Sequence, residues 1–595
     1  MTYPALLLAT ALLGPLTQAH AAPSGRADFT DTHYTGSAQC AQCHDGLSDA
    51  NGRDVSLRQA WASSMMANAA RDPYWRAKVA AELHRNPHLS DEINDKCSRC
   101  HAPMANDAAK KDGSPLKILG DNSFTDPNGD YFDAAMDGVS CSLCHQIADD
   151  GNLGTLAGSS GRYRVLTYPN RADRPAYGQY PDPFTRPMQQ RVAFTPQLGT
   201  HTQSAEFCGV CHDLKTPFVD AQGDLASTTP ESEFPEQSVY SEWAHSDYRT
   251  GGPREQRCQS CHMPVADSAV TLATRPHNLS PREGFSQHNF LGANTVMLQL
   301  LDDHRSALGV SATGFDRAIE ANRSFLKTAA ELSLSEPRLE NGILDIQLTI
   351  TNHAGHKLPS GYPSRRVYVH FKVEDENGVT LFESGRLQPD GSIKGVDLDT
   401  DPTTFEPHYD LITAADQVQV YEPIMRDTDG NVTHTLLRAA AYVKDNRLLP
   451  AGFDKASAPP DVRVAGAAQQ DENFIAGGDQ LTYRVKVGDR TRLRILAELR
   501  YQPLSFGHLR DLFTDTALPE VAIFKRQFED ASLRDEVIAS ASRTLGDLPE
   551  RPAEGGGGLT DGANTGGGGS SNLLWSLALL LIHRLRGRHV AHHRA

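Results

Sequence analysis

The residues of this sequence best suited to chemistry are cysteines and histidines in the pattern C-x-x-C-H, as in Cys141-Ser142-Leu143-Cys144-His145. In this pattern the two cysteine sulfurs bond covalently to the edge of a haem, and the adjacent histidine is placed under the iron. The pattern occurs five times and uses all ten cysteines of the sequence. The other four copies are Cys40/Cys43/His44, Cys97/Cys100/His101, Cys208/Cys211/His212 and Cys258/Cys261/His262. The sequence therefore predicts five covalently attached haems c.

Zinc sites and disulfides are the alternative uses of paired cysteines. C-x-x-C pairs build zinc sites, but zinc does not require a histidine after every second cysteine. Histidine makes up 24 of the 595 residues. Five such histidines would therefore follow the cysteines by chance with a probability of roughly one in ten million, which favours the haem-attachment pattern.

The composition is that of a soluble, acidic chain with room for several domains. The mean hydropathy is -0.46 and the formal net charge is -17. Such a charge argues against nucleic acid and anionic lipid as partners. We expect either basic redox partner proteins or a surface that serves only solubility, while the oligomeric state stays open.

Both ends of the chain carry targeting signals. Residues 5–13 are apolar and Ala19-His20-Ala21 fits a cleavage site, so 1–21 are predicted to be a signal peptide, although basic residues are missing before the apolar stretch. Near the other end, glycine runs precede the apolar stretch Leu573 to Ile582 and then several arginines. This order resembles the GlyGly-CTERM sorting tail of Gram-negative bacteria. The resemblance implies a short membrane anchor, present at least before processing, and a periplasmic or cell-surface location.

Hydrophobic periodicity divides the rest of the chain. Apolar residues recur at helical spacing in 56–68 and 72–84, and again from Asn294 to Leu332. From about residue 338 the period becomes two, as in Leu344, Ile346, Leu348 and Ile350, which is typical of a half-buried strand. The expected fold is therefore a mainly α or irregular haem domain followed by an antiparallel β-sandwich. The predicted divisions are 22–300 for the haem domain, 301–335 for a helical connector, 336–530 for the sandwich, 531–570 for a glycine-rich linker and 571–595 for the sorting tail.

Several segments resemble multihaem cytochromes of the cytochrome c-552/c-554 class. They include Trp61 to Pro73 after the first motif, the surroundings of the later motifs such as Phe207-Cys208-Gly209-Val210-Cys211-His212-Asp213, and the loop Asn352 to Gly361. Together they cover roughly residues 36–455. The resemblance implies a pentahaem c-type cytochrome that transfers electrons along stacked haems.

The second axial ligand of each haem decides its chemistry. A haem with two protein ligands carries electrons, whereas a haem with an open position can bind and transform a small molecule. His201 lies seven residues before Cys208, and His288 resembles a ligand of the cytochrome class. His356 lies in a loop that could fold back onto the haem domain. The predicted second ligands are His201, His288, His356, His245 and His304.

Three functions are compatible with this pattern. The first is an exported electron relay between periplasmic or cell-surface redox partners, which the supply of histidines favours over catalysis. The second is an oxidoreductase with one open haem that acts on a small nitrogen or sulfur compound. In the third, the β domain is a docking or adhesive module that carries the haems as redox cargo.

Overall fold

A computed structural model describes residues 21–547 of the chain. The predicted signal peptide, apart from its last residue, and the predicted anchor at 571–595 lie outside the described residues. Within 21–547, no helix combines the length and apolar character needed to cross a membrane. These residues all belong to one compact unit.

The cysteine-containing part of the chain forms short helices joined by irregular segments. Its helices are α1 (Ser37–His44), α2 (Leu57–Ala62), α3 (Pro73–Arg85), α4 (Ser90–His101), α5 (Pro103–Asp112), α6 (Phe132–Met136), α7 (Cys141–Cys144), α8 (Thr185–Val192), α9 (Ala205–His212), α10 (Val239–Ala244) and α11 (Cys258–His262). Its strands are β1 (Pro175–Gly178), β2 (Thr195–Leu198), β3 (Asp213–Thr216) and β4 (Phe234–Ser238). β1 pairs with β2 in parallel and β3 pairs with β4 antiparallel.

Two helices lie where periodicity predicts them, with different lengths. Helix α3 begins after Asp72, whose carboxylate accepts hydrogen bonds from the backbone N–H groups of Tyr74 and Trp75, at 2.9 and 3.3 Å. This N-cap fixes the start of the helix. Helix α2 is shorter than predicted. The Asn68 amide donates to the carbonyls of Ala62 and Ser64, which a longer helix would use for its own ladder.

The segment predicted as a helical connector is only partly helical. It contains the end of α12 (Thr295–Asp303), α13 (Arg305–Leu308) and α14 (Phe315–Leu326). Residues Ala330–Leu334 form strand β5 instead of continuing the helix. Ala330, Leu332 and Leu334 are buried while the residues between them are exposed, so the period has already changed to two.

The rest of the described chain is dominated by two five-stranded sheets. The strands are β6 (Arg338–Glu340), β7 (Ile343–Asn352), β8 (Arg366–Asp375), β9 (Thr380–Ser384), β10 (Leu411–Ile412), β11 (Val420–Tyr421), β12 (Pro423–Arg426), β13 (Ala441–Asp445), β14 (Gly478–Lys486), β15 (Leu493–Gln502) and β16 (Glu536–Leu545). The helices are α15 (Asp397–Thr400), α16 (Phe506–Leu512) and α17 (Pro519–Asp530). One sheet has the order β10-β14-β7-β5 with β6 on β7, and the other has β11-β8-β15-β16 with β9 on β8.

The residues predicted to alternate along strands do so. Leu344, Ile346, Leu348 and Ile350 of β7 are at most 2% exposed. They belong to one apolar cluster with residues of both sheets, in which the Phe371 and Tyr483 rings stack at 3.7 Å. Strand β16 lies inside the range predicted as linker, because its pairing with β15 makes it part of a sheet.

The motif-bearing region and the sheet region also share an apolar cluster. Tyr74 and Ala81 of α3 pack in it with Leu301 of α12 and Phe524 of α17. Helix α17, far along the chain, thus completes the packing of an early helix. The two predicted domains are therefore joined by a common core.

We expect the substitution Phe524→Ala to destabilise both regions together. Phe524 is fully buried, and truncating such a ring costs about 3–5 kcal/mol of the free energy of unfolding. Its neighbour Ile523 is 41% exposed, so Ile523→Ala is the matched control and should cost about 0.5 kcal/mol or less. Denaturant unfolding followed by the absorbance of the predicted haems and by far-UV circular dichroism should shift in parallel for Phe524→Ala. A shift in only one of the two signals would contradict the common core.

Candidate haem-binding site

Each C-x-x-C-H motif lies on a helical turn with its histidine at the end. Helices α1, α4, α9 and α11 end on the motif histidine, and His145 follows directly after α7. On a helix, residues three and four positions apart share one face. The two sulfurs and the imidazole of each motif are therefore presented on the same side of the turn.

The five motifs line one cavity of about 1750 Å³. All ten cysteines and all five motif histidines contribute to its wall, together with His288 and His356. Apolar and aromatic side chains such as Trp61, Trp75 and Phe290 fill much of the remaining wall. A cavity of this lining suits large flat apolar groups bound through cysteine and histidine.

Two of the motif histidines each face a second histidine. The ring centroids of His145 and His288 are 6.4 Å apart with planes 22° apart, and those of His262 and His356 are 6.4 Å apart with planes 11° apart. An imidazole nitrogen binds a metal at about 2.0–2.1 Å and lies roughly 1.1–1.2 Å from its ring centroid, so two coaxial imidazoles on one ion have centroids about 6.2–6.6 Å apart. Both pairs have the separation of two axial ligands on one metal.

Backbone carbonyls hold the Nδ1 atom of all four of these rings. His145 Nδ1 lies 2.5 Å from the Tyr177 carbonyl oxygen, and His262 Nδ1 lies 2.5 Å from that of Leu291. In the facing rings, His288 Nδ1 lies 3.1 Å from the Ser286 carbonyl oxygen and His356 Nδ1 lies 2.7 Å from that of Lys357. A carbonyl bound to Nδ1–H fixes the tautomer and leaves Nε2 as the metal-binding atom.

The burial of the imidazoles keeps them in the neutral form that metals bind. Burial lowers the pKa of His101, His212 and His288 to about 4 each. It also lowers the pKa of His44, His145 and His262. The motif histidines can therefore offer a lone pair at neutral pH.

The other three motif histidines have different surroundings. Within residues 21–547, no second imidazole faces His44, His101 or His212 in the way seen for the two pairs. The ring of His101 stacks on Trp75 at 4.7 Å, with planes only 4° apart. Its Nδ1 is 3.3 Å from the Ala69 carbonyl oxygen, and His44 Nδ1 is 2.8 Å from that of Leu272.

Three predicted ligands do not reach a motif histidine. His201 is buried, but its Nε2 is 2.9 Å from the Ile147 carbonyl oxygen and its ring packs against Tyr177 and Phe207. His245 is exposed, and its Nδ1 is 2.7 Å from the Ser241 carbonyl oxygen. His304 is half-buried just after α12. Unlike His288 and His356, these three do not line the cavity.

Some contributors to the site have no recognisable sequence signal. The carbonyls of Leu272, Tyr177 and Leu291 orient the motif histidines, and a backbone carbonyl is present at every position whatever the residue type. Trp75 lies on a predicted helix, yet nothing in its spacing indicates that it stacks on His101. Only the folded chain shows the carbonyl contacts of the motif histidines and the stacking of Trp75 on His101.

The motifs touch one another in a defined order. Interaction with the nearby Cys141 thiol raises the pKa of Cys40, and Cys258 and Cys100 do the same for Cys208 and Cys211; in each case burial adds to the rise. Helix α1 accordingly contacts α7, and α9 contacts α11. The third motif is also close to the fourth, because Cys144 contributes to the raised pKa of both fourth-motif cysteines. The first motif therefore adjoins the third and the third adjoins the fourth, while the second and the fifth both adjoin the fourth.

A separate cluster of His408, Asp471 and Asp479 lies outside this cavity. His408 Nδ1 accepts hydrogen bonds from the amides of Gln419 and Asn446, so its proton is on Nε2, which donates to Asp471 at 3.0 Å. A metal would need that nitrogen deprotonated. The cluster is therefore a satisfied hydrogen-bond network.

No protein-family model matches the chain, and no curated protein matches it. A solved structure of a penta-heme cytochrome c552 from Thermochromatium tepidum is similar, with 17% sequence identity and a TM-score of 0.47. The match covers 87% of this chain and 100% of that chain. At this level of similarity it does not show that the two proteins belong to one family.

Removing a motif should have effects that depend on its position. Mass spectrometry of the mature protein should show five haem additions. Replacing Cys141 and Cys144 by Ala should leave four and greatly reduce folding, because Ser142 and Leu143 between the two cysteines are buried. Replacing Cys258 and the exposed Cys261 should also leave four, with most of the fold retained. Three or fewer haems on the unsubstituted chain would contradict the assignment of the motifs.

Proposed function

We propose that this protein is an exported pentahaem c-type cytochrome that relays electrons between redox partner proteins. The observation that carries the proposal is the pair of facing imidazole couples, His145 with His288 and His262 with His356, inside a cavity lined by all five C-x-x-C-H motifs. Haem iron bound at these motifs would supply one-electron redox chemistry. The protein's part is to attach, orient and enclose it.

The residues present fit haem c. Each motif offers two thiols and a histidine on one helical face, and the cavity wall around them is mainly apolar. Four imidazoles have Nδ1 fixed by carbonyls and Nε2 free, which is the arrangement of axial ligands. Two axial imidazoles favour electron transfer, because they leave no position for a substrate.

The order of the motifs supports a relay with a branch. The fourth motif, with His212, adjoins three others, while the first motif is reached through the third. The fourth motif is therefore the junction of the proposed relay. The first, second and fifth motifs are its ends, where we place exchange with partners.

The net charge and the predicted targeting signals support the partners and the location in this proposal. The net charge of -17 favours basic partner proteins over nucleic acid. Thioether attachment of haem in bacteria takes place outside the cytoplasm, so we place the protein in the periplasm or at the cell surface. A membrane anchor in the C-terminal tail and a β-sandwich formed by the two large sheets are parts of the same proposal.

Removing a second axial histidine should change one haem and leave the others unaltered. His288→Ala and His356→Ala should each convert one low-spin ferric haem to a high-spin or water-bound haem. Because the ring planes in both pairs are nearly parallel, the lost signal should be a rhombic low-spin signal in low-temperature EPR. His304→Ala and His353→Ala are the controls, since neither ring faces a motif histidine. Unchanged spectra for both His288→Ala and His356→Ala would contradict the proposed ligation.

One observation favours a second function, an oxidoreductase acting at an open haem. Near Cys97 the cavity wall carries Glu82, which pairs with Lys78 at 3.5 Å, and Glu236. Burial raises the pKa of Glu236 to about 7. The hydroxyl groups of Tyr74 and Tyr362, on the same wall, are buried without a hydrogen-bond partner among the described residues. Unpartnered buried polar atoms are uncommon in folded proteins and often mark a site of function.

Cyanide binding separates the relay from this second function. If the second-motif haem has an open position, cyanide should shift the Soret band of the ferric protein. Tyr362→Phe should alter the affinity for cyanide without changing the haem count, whereas Tyr409→Phe, at a distant tyrosine, should not. A ferric protein that does not respond to cyanide would exclude the oxidoreductase and favour the relay alone.

A further inference from the structure

Four buried charged side chains form a closed network beside the loop that carries His356. Lys357 Nζ donates to Asp445 at 2.7 Å, and Arg447 donates to the same carboxylate through Nε and Nη2, both at 2.8 Å. Arg447 Nη1 then donates to Glu242 at 2.7 Å. The four side chains are between 0 and 5% exposed, so the network is screened from solvent.

The network joins three separate parts of the chain at one point. Glu242 lies on α10, just before the fifth motif, whereas Asp445 and Arg447 come from the end of β13 and the residues that follow it. Lys357 belongs to the loop Asn352 to Gly361. The network thus connects the motif-bearing region to the sheet region where His262 and His356 meet.

Glu242 holds the His356 loop directly. One of its carboxylate oxygens accepts hydrogen bonds from the backbone N–H of Lys357 at 3.2 Å and from Ser360 Oγ at 2.6 Å. The Asn352 amide donates to the His356 carbonyl at 3.1 Å. Both polar groups of the peptide that joins His356 to Lys357 are therefore bound by side chains, not by a regular ladder.

The charges in the network cancel. Two cations face two anions, and a single uncompensated charge at this depth would be strongly unfavourable. Although burial opposes its ionisation, Arg447 and Lys357 keep the pKa of Asp445 well below its usual range. Burial lowers the pKa of Arg447, but Asp445 and Glu242 outweigh it and raise that pKa above its usual range.

Stability alone is a weak reason for such a network. Replacing a buried ion pair by well-packed apolar residues is often neutral or stabilising, whereas buried ionic groups can specify one arrangement over others. A metal ligand on a loop needs that specificity, because ligating groups must be held within a fraction of an ångström. The contacts of Glu242 and Asn352 are placed where they would supply it.

We propose that Glu242, Lys357, Asp445 and Arg447 form a charge-balanced clamp that positions His356 opposite His262 and sets the reduction potential of the haem between them. The inference rests on the proposed function, since it requires that haem and its two axial histidines. The four residues are positioning residues: none of them faces the imidazole pair as a ligand. Because the clamp is neutral, removing a negative charge and removing a positive charge should shift the reduction potential of this haem in opposite directions.

The test is a pair of substitutions in the full-length, haem-loaded protein. Glu242→Gln leaves one positive charge in excess, which favours the reduced haem, so the midpoint potential of one haem should rise. Lys357→Met leaves one negative charge in excess, so the potential of the same haem should fall. Potentiometric titration followed by EPR measures both shifts. Asp399→Asn is the control and should leave that potential unchanged, because Asp399 pairs with the buried Arg366, which is hydrogen-bonded to Gln502 and to none of the four clamp residues.

His356→Ala separates failure of the clamp from failure of the ligation. If His356→Ala leaves every haem spectrum unchanged, the proposed ligation is wrong. If His356→Ala alters one haem while Glu242→Gln and Lys357→Met leave its potential unchanged, or shift it in the same direction, the ligation holds and the clamp is overturned. Should either charge variant fail to fold, Ser360→Ala removes a single bond to Glu242. It should broaden the low-spin signal of the same haem, and an unaltered signal would count against the clamp.

Discussion

The distance between facing imidazoles is the constraint on which the organisation of this protein depends. For the proposed ligation, His145 and His288 must be held about as far apart as His262 and His356, and each ring must keep its plane and tautomer. Neither pair is local in sequence. The short helices, the carbonyl contacts at Nδ1 and the packing of the sheet region against the motif region all serve to keep these four rings in register.

The sheet region does not merely lie beside the motif-bearing region but supplies part of the cavity wall. Its large apolar cluster gives it a rigid interior, and the loop after β7 projects from that interior into the cavity wall. Rigid strands are better supports for a ligand than a free loop. The cluster that joins α3, α12 and α17 fixes the same two regions at a second place. Two separate attachments prevent one region from rotating relative to the other.

Sequence patterns could predict the parts of the site that are local. The five motifs, the N-cap at Asp72 and the alternation along β7 depend on residues within a few positions of each other. The histidine opposite His145 or His262 depends on how distant segments meet, so spacing could single out His201 and His304 as readily as His288. His201 lies close to the fourth motif in sequence, but its ring packs against other side chains and its Nε2 contacts the Ile147 carbonyl oxygen. The sequence did not reveal the change from helix to strand at Ala330, because Leu332 fits both the helical and the strand period. It did not reveal β16 either, because an edge strand of a sheet can include polar residues.

The contact between α3 and α17 has a consequence for the order in which the molecule assembles. Helix α3 precedes four of the five motifs, whereas α17 follows them all, so a chain that emerges from its N-terminus presents every cysteine before the last helix arrives. Contacts of such sequence separation form late in folding. Tyr74 belongs both to this contact and to the cavity wall. For the haem attachment proposed above, this order would leave the cysteines accessible to the attachment machinery until the wall closes.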